Sequence, residues 1–169
     1  MSKLIVFCSL IFGMLSCNNP TPSGFWTDFQ KDYLIENISD QGLNGGHKAL
    51  YWKSNKSGTF TSSIIIEYAT KNGWKLSDSL DFNPRELEKW FYDSSPIFPL
   101  SYTGFSSNPT HNSTYKKFPR WVDTDLKVYA FKTPWVVFEP GTDNSTETNG
   151  FVILSNRGEE MSVYHLWGE

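Results

Sequence analysis

The stretch 150-GFVILSNRGEEMSVYHLWG-168 decides the fold class of this chain. Two apolar segments, 150–155 and 161–168, flank the polar residues 156–159, and Asn156 and Gly158 are typical turn formers. Alternation of apolar and polar residues with a period of two indicates strands. A short connection that contains glycine indicates that the two strands are antiparallel neighbours. The stretch therefore predicts a β-hairpin.

The segment before this hairpin extends it into a larger sheet. Residues 125–132 and 135–139 have strand character and flank Thr133-Pro134, and the polar residues 141–150 form an excursion between strands. The C-terminal half therefore predicts an antiparallel β-meander with one face that must be covered. In the last strand His165 shares a face with Val163 and Trp167, and we interpret it as a part-buried, hydrogen-bonded histidine and not as a base.

The sequence 82-FNPRELEKWF-91 predicts the helix that covers this sheet. Asn83 has the character of an N-cap, Pro84 suits the first helical position, and Glu86 completes a capping box. The apolar residues Leu87, Trp90 and Phe91 form one stripe. We therefore expect a helix over residues 84–92. The fold class is α+β, an antiparallel C-terminal β-meander covered by one or two short helices.

A second candidate helix lies in the N-terminal half, after a strand predicted over residues 47–53. Residues 61–72 allow two interpretations. In the first, a helix is capped by Ser62 or Ser63 and ends at Asn72-Gly73. In the second, Asn72-Gly73 is a hairpin turn between two strands. The spacing of the apolar residues favours the helix, with one face formed by Ile64, Ile65, Tyr68 and Ala69, and a strand follows within 74–80.

The first residues of the chain have the pattern of an export signal. Lys3 precedes about a dozen apolar residues, and the polar segment 17-CNNPTPSG-24 follows directly. This apolar run is shorter than the roughly 20 residues that a membrane-spanning helix needs. Met14 stands at the third position before Cys17, where an ordinary signal-peptide cleavage site has a small residue.

The sequence 14-MLSC-17 resembles the lipobox of bacterial lipoproteins, in which a small residue precedes an obligatory cysteine. The resemblance covers about 20 residues, and it departs from the commonest lipobox in having Met14 where leucine is usual. It implies that residues 1–16 are a signal peptide that is removed and that the thiol of Cys17 carries a diacylglycerol. Membrane lipid, held through acylated Cys17, is then the first expected partner. Several acyl chains would make the attachment effectively permanent, since each buried methylene contributes about 0.8 kcal/mol.

The expected mature chain has 153 residues, the size of one domain. We predict a lipidated N-terminus and tether over residues 17–24 and a single globular domain over 25–169. Loss of Lys3 leaves 14 basic and 18 acidic side chains, a net charge of −4, which argues against a nucleic-acid partner. Cys8 leaves with the signal, so Cys17 would be the one cysteine of the mature chain. In some lipoproteins an acidic cluster just after the cysteine directs display on the cell surface. No acidic residue follows Cys17 before Asp28, so the resemblance implies a periplasm-facing position, and we expect attachment to the outer membrane.

The long segment 93–120 has no sustained period and is rich in Pro, Ser, Asn and aromatic residues. A loop of this length in a compact domain is usually functional. Aromatic rings can stack on sugars, so this segment and the residue that follows it suggest a binding surface. The candidate contact residues are Tyr102, Phe105, His111, Tyr115 and Trp121.

Catalytic motifs are represented only by fragments. Asp123 and Asp125 lie on one side of an extended chain and could hold a hard cation, but they lack the glycine and distant glutamate of a calcium loop. The three histidines have no metal-ligand spacing, and there is no nucleophile elbow. We therefore expect neither a metal nor another cofactor, and no enzymatic activity.

Three functions follow, in order of preference. The first is a small envelope lipoprotein with a non-enzymatic binding or structural domain. The second is a module that binds a glycan or peptidoglycan, or that inhibits a wall-degrading enzyme. The third is an enzyme that uses Asp123 and Asp125 with His111.

Overall fold

The structure is a computed structural model that describes residues 22–82, 91–92, 95–96, 125–138 and 141–168. Two short 3-10 helices, Gly24–Asp28 and Lys31–Tyr33, come first. They are followed by strands β1 (Leu34–Gln41) and β2 (Gly45–Lys53), helix α1 (Ser62–Lys71) and strand β3 (Lys75–Phe82). Strands β4 (Phe91–Tyr92) and β5 (Ser95–Pro96) pair with each other. The last strands are β6 (Leu126–Phe138), β7 (Ser145–Ser155) and β8 (Glu160–Gly168).

Six of these strands form one sheet in the order β1-β2-β8-β7-β6-β3, and all neighbours in this order are antiparallel. The predicted meander is present as β6, β7 and β8. The sheet is wider than the meander, because β8 also pairs with β2 along its whole length. Within the described residues the fold is mostly sheet with one α-helix, which agrees in part with the predicted α+β class.

The strands alternate so that each face of the sheet carries its own core. In β2, Leu50 and Trp52 belong to one core, whereas Ala49 and Tyr51 belong to the other. The same alternation recurs in the other central strands. The first core is completed by side chains of the N-terminal segment, of the β2–α1 connection and of α1, namely Trp26, Phe29, Phe60, Ile65 and Ala69. Burial of both faces explains why β7 and β8 are nearly continuous apolar runs in the sequence.

Helix α1 confirms the helical interpretation of residues 61–72. Its buried residues are Ile65 and Ala69, whereas Ile64 is 43% exposed. Thr61 occupies the N-cap position, so the predicted caps, Ser62 and Ser63, were wrong by one or two residues. The helix ends as predicted, because Gly73 adopts φ 88°, a left-handed conformation that glycine tolerates at a helix end.

The predicted helix at 84–92 is wrong at its last two residues. Phe91 and Tyr92 form β4, and residues 84–90 lie outside the described part of the chain. The capping signals at Asn83 and Glu86 specify where a helix could begin, but no stop signal fixes where it ends. Aromatic residues favour strands, which is consistent with pairing at this position.

The Thr133-Pro134 pair does not separate two strands as predicted, since β6 continues through it. The register with β7 shifts between Lys132 and Val137, so the proline lies in an irregular, bulged part of the strand. A proline is tolerated there because it need not donate a ladder hydrogen bond. Strand β7 also begins at Ser145, inside the predicted polar excursion 141–150. Strand β1 was not predicted at all.

The N-terminal segment packs against the sheet through a cluster of aromatic rings. The indole of Trp26 lies 5.6 Å from that of Trp74 and 6.4 Å from that of Trp52, measured between ring centroids. The indole nitrogen of Trp52 donates a 2.8 Å hydrogen bond to the backbone oxygen of Phe29. These side chains are at most 3% exposed, so the tryptophans here build the core.

Candidate functional site

The imidazole of His165 lies at the centre of a buried polar network. Its Nδ1 is 3.1 Å from the hydroxyl of Ser23, and its Nε2 is 3.1 Å from the hydroxyl of Thr133. Thr133 in turn donates a 2.8 Å hydrogen bond to the side-chain oxygen of Asn149. Asn149 donates from its amide nitrogen to the backbone oxygens of Leu166, at 2.7 Å, and Trp135. The predicted role of His165 as a hydrogen-bonded histidine is confirmed, although the side chain is fully buried.

A serine hydroxyl within hydrogen-bond distance of an imidazole is also the geometry of a nucleophile and its base. The environment of His165 does not suit that chemistry. Both Ser23 and His165 have 0% of their surface exposed. Burial lowers the pKa of His165 to about 3, and the backbone of Trp135 acts in the opposite direction. Such an imidazole is a weak base that no substrate reaches, so we interpret the network as a structural connection.

Three indole N–H groups next to this network have no hydrogen-bond partner among the described residues. They belong to Trp26, Trp74 and Trp167, all of which are buried. The rings of Trp74 and Trp167 lie 5.1 Å and 5.0 Å from the ring of His165. Trp26 packs against Trp74 in turn, so the N-terminal segment, the α1–β3 connection and β8 contribute to one aromatic layer beside His165.

Lys48 is a second buried titratable group on the same side of the sheet. It pairs with His165 across β2 and β8, and only 4% of the residue is exposed. Burial lowers the pKa of its amine, because the charged form loses hydration. No carboxylate of the described residues lies within ion-pair distance of it, in contrast to Lys53, which is 2.9 Å from Glu160.

An open polar cleft of about 520 Å³ lies at the end of the sheet away from His165. We call this end of the sheet the cleft end. The cleft lies where β3 ends, β6 begins and β7 ends, next to the first turn of α1. The lining residues are mostly polar or charged: Ser62, Asp81, Phe82, Asp125, Leu126, Lys127, Leu154, Ser155 and Asn156.

The charges in the cleft are solvated. The amine of Lys127 is 3.3 Å from a carboxylate oxygen of Asp81, and the two side chains are 40% and 79% exposed. An exposed pair of this kind contributes about 0–1 kcal/mol. Asp125 is also exposed and has no ion-pair partner among the described residues. The cleft can therefore offer carboxylate, hydroxyl and amide groups to a polar ligand without a large cost of desolvation.

The structure tests few of the predicted site residues directly. Cys17 lies outside the described residues, and so do Tyr102, Phe105, His111, Tyr115, Trp121 and Asp123. Asp125 lines the cleft and is the first described residue after 97–124. No group of three or more metal-ligating side chains occurs among the described residues. Asp81 and Ser62 were not identified as site residues from the sequence. No local pattern marks them, because only the tertiary fold brings them close to Asp125.

No helix in the described ranges is both long and apolar enough to cross a membrane. Comparisons of the chain with protein-family models, with characterised proteins and with solved structures find no match.

Proposed function

We propose that this protein is a lipid-anchored lipoprotein of the bacterial cell envelope, attached to the outer membrane on its periplasmic side through Cys17. Its domain would be a non-enzymatic binding or structural module. The observation that carries the proposal is the lipobox-like sequence 14-MLSC-17 after a short apolar run. Ser23, only six residues after Cys17, is fully buried against His165, so the domain would begin close to the lipid.

The buried network supports a non-enzymatic role. Within the described residues, the arrangement most similar to a catalytic pair is Ser23 with His165, and it is inaccessible and weakly basic. The cleft end supports a binding role, because it offers exposed polar groups on the ends of three strands and one helix. Such a rim can hydrogen-bond a hydroxyl-rich ligand such as a glycan.

Metabolic labelling with a clickable fatty acid tests the anchor. Cells expressing the wild-type chain should incorporate the label into this protein, and Cys17→Ala should abolish it. Cys8→Ala is the matched control, because the proposal predicts that the whole signal, including residue 8, is removed. An unlabelled wild-type protein, or full labelling of Cys17→Ala, would contradict the proposal.

Retention on purified peptidoglycan sacculi tests the glycan version of the binding role. The double variant Asp81→Ala and Asp125→Ala should reduce retention, because both carboxylates line the cleft. Asp143→Ala is the control, since Asp143 is exposed in the β6–β7 turn, away from the cleft. Equal retention of both variants and the wild type would show that the cleft does not bind the glycan. Absence of retention in the wild type would favour an envelope protein as the partner.

A further inference from the structure

The N-terminal segment of the described residues runs along the sheet. Ser23 contacts His165, near the last residue of β8, whereas Phe29 contacts Trp52, which pairs with Met161 near the first residue of β8. Ser23 therefore lies towards the end of the sheet opposite the cleft end, and we call that opposite end the Ser23 end.

Three structural elements meet at the Ser23 end. The β1–β2 turn is there, because Gly45 pairs with Gly168 at the end of β8. A Cβ atom on Gly168 would lie 2.0 Å from the backbone oxygen of Asn44, so the turn and β8 are in direct contact. The end of β6 is also there, since Val137 pairs with Gly168.

The β1–β2 turn and β6 each expose large apolar side chains at this end, whereas Trp167 of β8 is buried. Leu43 in the β1–β2 turn is completely exposed, at 105% of its reference surface. Trp135 and Phe138 in β6 are 46% and 43% exposed. The other large apolar side chains that are exposed in the described part are dispersed over different elements: Tyr33, Ile35, Ile64 and Leu76.

We propose that the Ser23 end of the sheet, through Leu43, Trp135 and Phe138, lies in the interfacial zone of the bilayer to which Cys17 is attached. This inference rests on the proposed function. Five residues, 18–22, connect Cys17 to Ser23, and even a fully extended chain over these six steps spans only about 20 Å. This short connection would keep the Ser23 end, which is the end nearer to the anchor, beside the lipid headgroups.

The chemistry of the three side chains fits this occupant. Tryptophan is enriched at the level of the headgroups, and phenylalanine and leucine contribute apolar area to the acyl boundary. The acidic mature chain gives no excess of positive charge for attraction to anionic lipids, so the contact depends on apolar burial. The contact is shallow, because exposed Asp143 and the Lys132–Glu147 ion pair at 3.2 Å lie on the same hairpin and remain in headgroup water.

A fluorescent label at residue 43 tests the orientation. Lipidation blocks Cys17, so in Leu43→Cys the introduced thiol would be the one free thiol of the mature protein. Asn55→Cys is the matched control, because residue 55 is an exposed loop position at the cleft end. Each lipidated variant is labelled with a nitrobenzoxadiazole maleimide and reconstituted into phosphatidylethanolamine–phosphatidylglycerol vesicles that contain spin-labelled lipid.

We expect about threefold or greater quenching at residue 43 relative to residue 55, with a blue-shifted emission, because an interfacial side chain lies within about 5–10 Å of the acyl boundary. Equal quenching at the two positions, in protein that floats with the vesicles, would overturn the orientation and leave the anchor intact. Labelling of Cys17 in the wild-type protein, together with loss of flotation, would overturn both the anchor and this inference.

Discussion

The imidazole Nδ1 of His165 lies 3.1 Å from the hydroxyl of Ser23, and 142 residues separate the two in the chain. This contact joins the first described residues to the last strand of the sheet. It also places a titratable group in a site where its charged form is strongly disfavoured. The stability of the domain should therefore depend on pH through this one side chain.

We predict that His165→Gln makes stability less dependent on pH. Because burial lowers the folded-state pKa of His165 from 6.5 to about 3, the unfolded chain binds the proton more readily across this interval. The free energy of unfolding should fall by about 1.4 kcal/mol for each pH unit below 6.5 in the wild type. Urea unfolding over this interval should give a shallower dependence for the variant. Parallel curves for the two proteins would contradict the assignment.

We predict that Gly150→Ala destabilises the domain. A Cβ atom at this position would lie 2.6 Å from the ring of Trp74 and 2.8 Å from the methyl group of Thr133. Both neighbours are buried, so the added methyl group should cost about 1–3 kcal/mol. Gly42→Ala is the control, because its Cβ atom would meet its nearest neighbour at an ordinary 3.6 Å. Thermal unfolding of both variants is the measurement, and equal midpoints would count against this packing.

We predict that Lys48→Met stabilises the protein by about 1 kcal/mol, because it removes a buried charge that has no ion-pair partner among the described residues. The folded-state pKa of Lys48 is lowered from 10.5, so the stability of the wild type should rise as the pH approaches that value. The variant should lack this rise. Lys56→Met, at an exposed loop position, should change neither quantity. A destabilised Lys48→Met variant would show that the amine has a structural partner.

We predict that Trp52→Phe destabilises the domain more than Trp135→Phe does. The first change leaves the buried backbone oxygen of Phe29 without its 2.8 Å hydrogen bond, at a cost of about 1–3 kcal/mol. Trp135 is 46% exposed, so its replacement removes less buried surface. Chemical unfolding of the two variants should show the difference. Equal loss would indicate that the hydrogen bond contributes little and that ring volume dominates.

Local sequence signals predicted the elements whose ends are marked by turn residues. Gly158 correctly marks the β7–β8 turn, with φ 64°, and Asn72-Gly73 correctly marks the end of α1. Pro134 was misinterpreted as a boundary, because a proline blocks a regular ladder but not a bulged one. A bulge depends on the partner strand, which a local pattern does not contain.

Contacts between distant segments account for what the sequence could not predict. The insertion of β8 between β2 and β7 depends on pairing across more than 100 residues, as for Lys48 with His165. The contact of Ser23 with His165 is also long-range. Ser23 belongs to the segment 17–24, whose composition predicted a tether. The cleft likewise combines Ser62, Asp81 and Asp125 from three elements. The predicted contact residues between Tyr102 and Trp121 stay predictions.

The central position of β8 has a consequence for how the chain acquires its structure. β8 follows every other strand in sequence, yet it is the strand that joins β1 and β2 to the remaining three. During synthesis or passage through a translocation channel, the sheet is divided into two unconnected parts until residues 160–168 emerge. Completion of the six-stranded sheet thus waits for β8, and pairing over such long separations is slow. In the exported chain that we propose, this wait would keep the preceding strands from completing the sheet during transfer across the membrane.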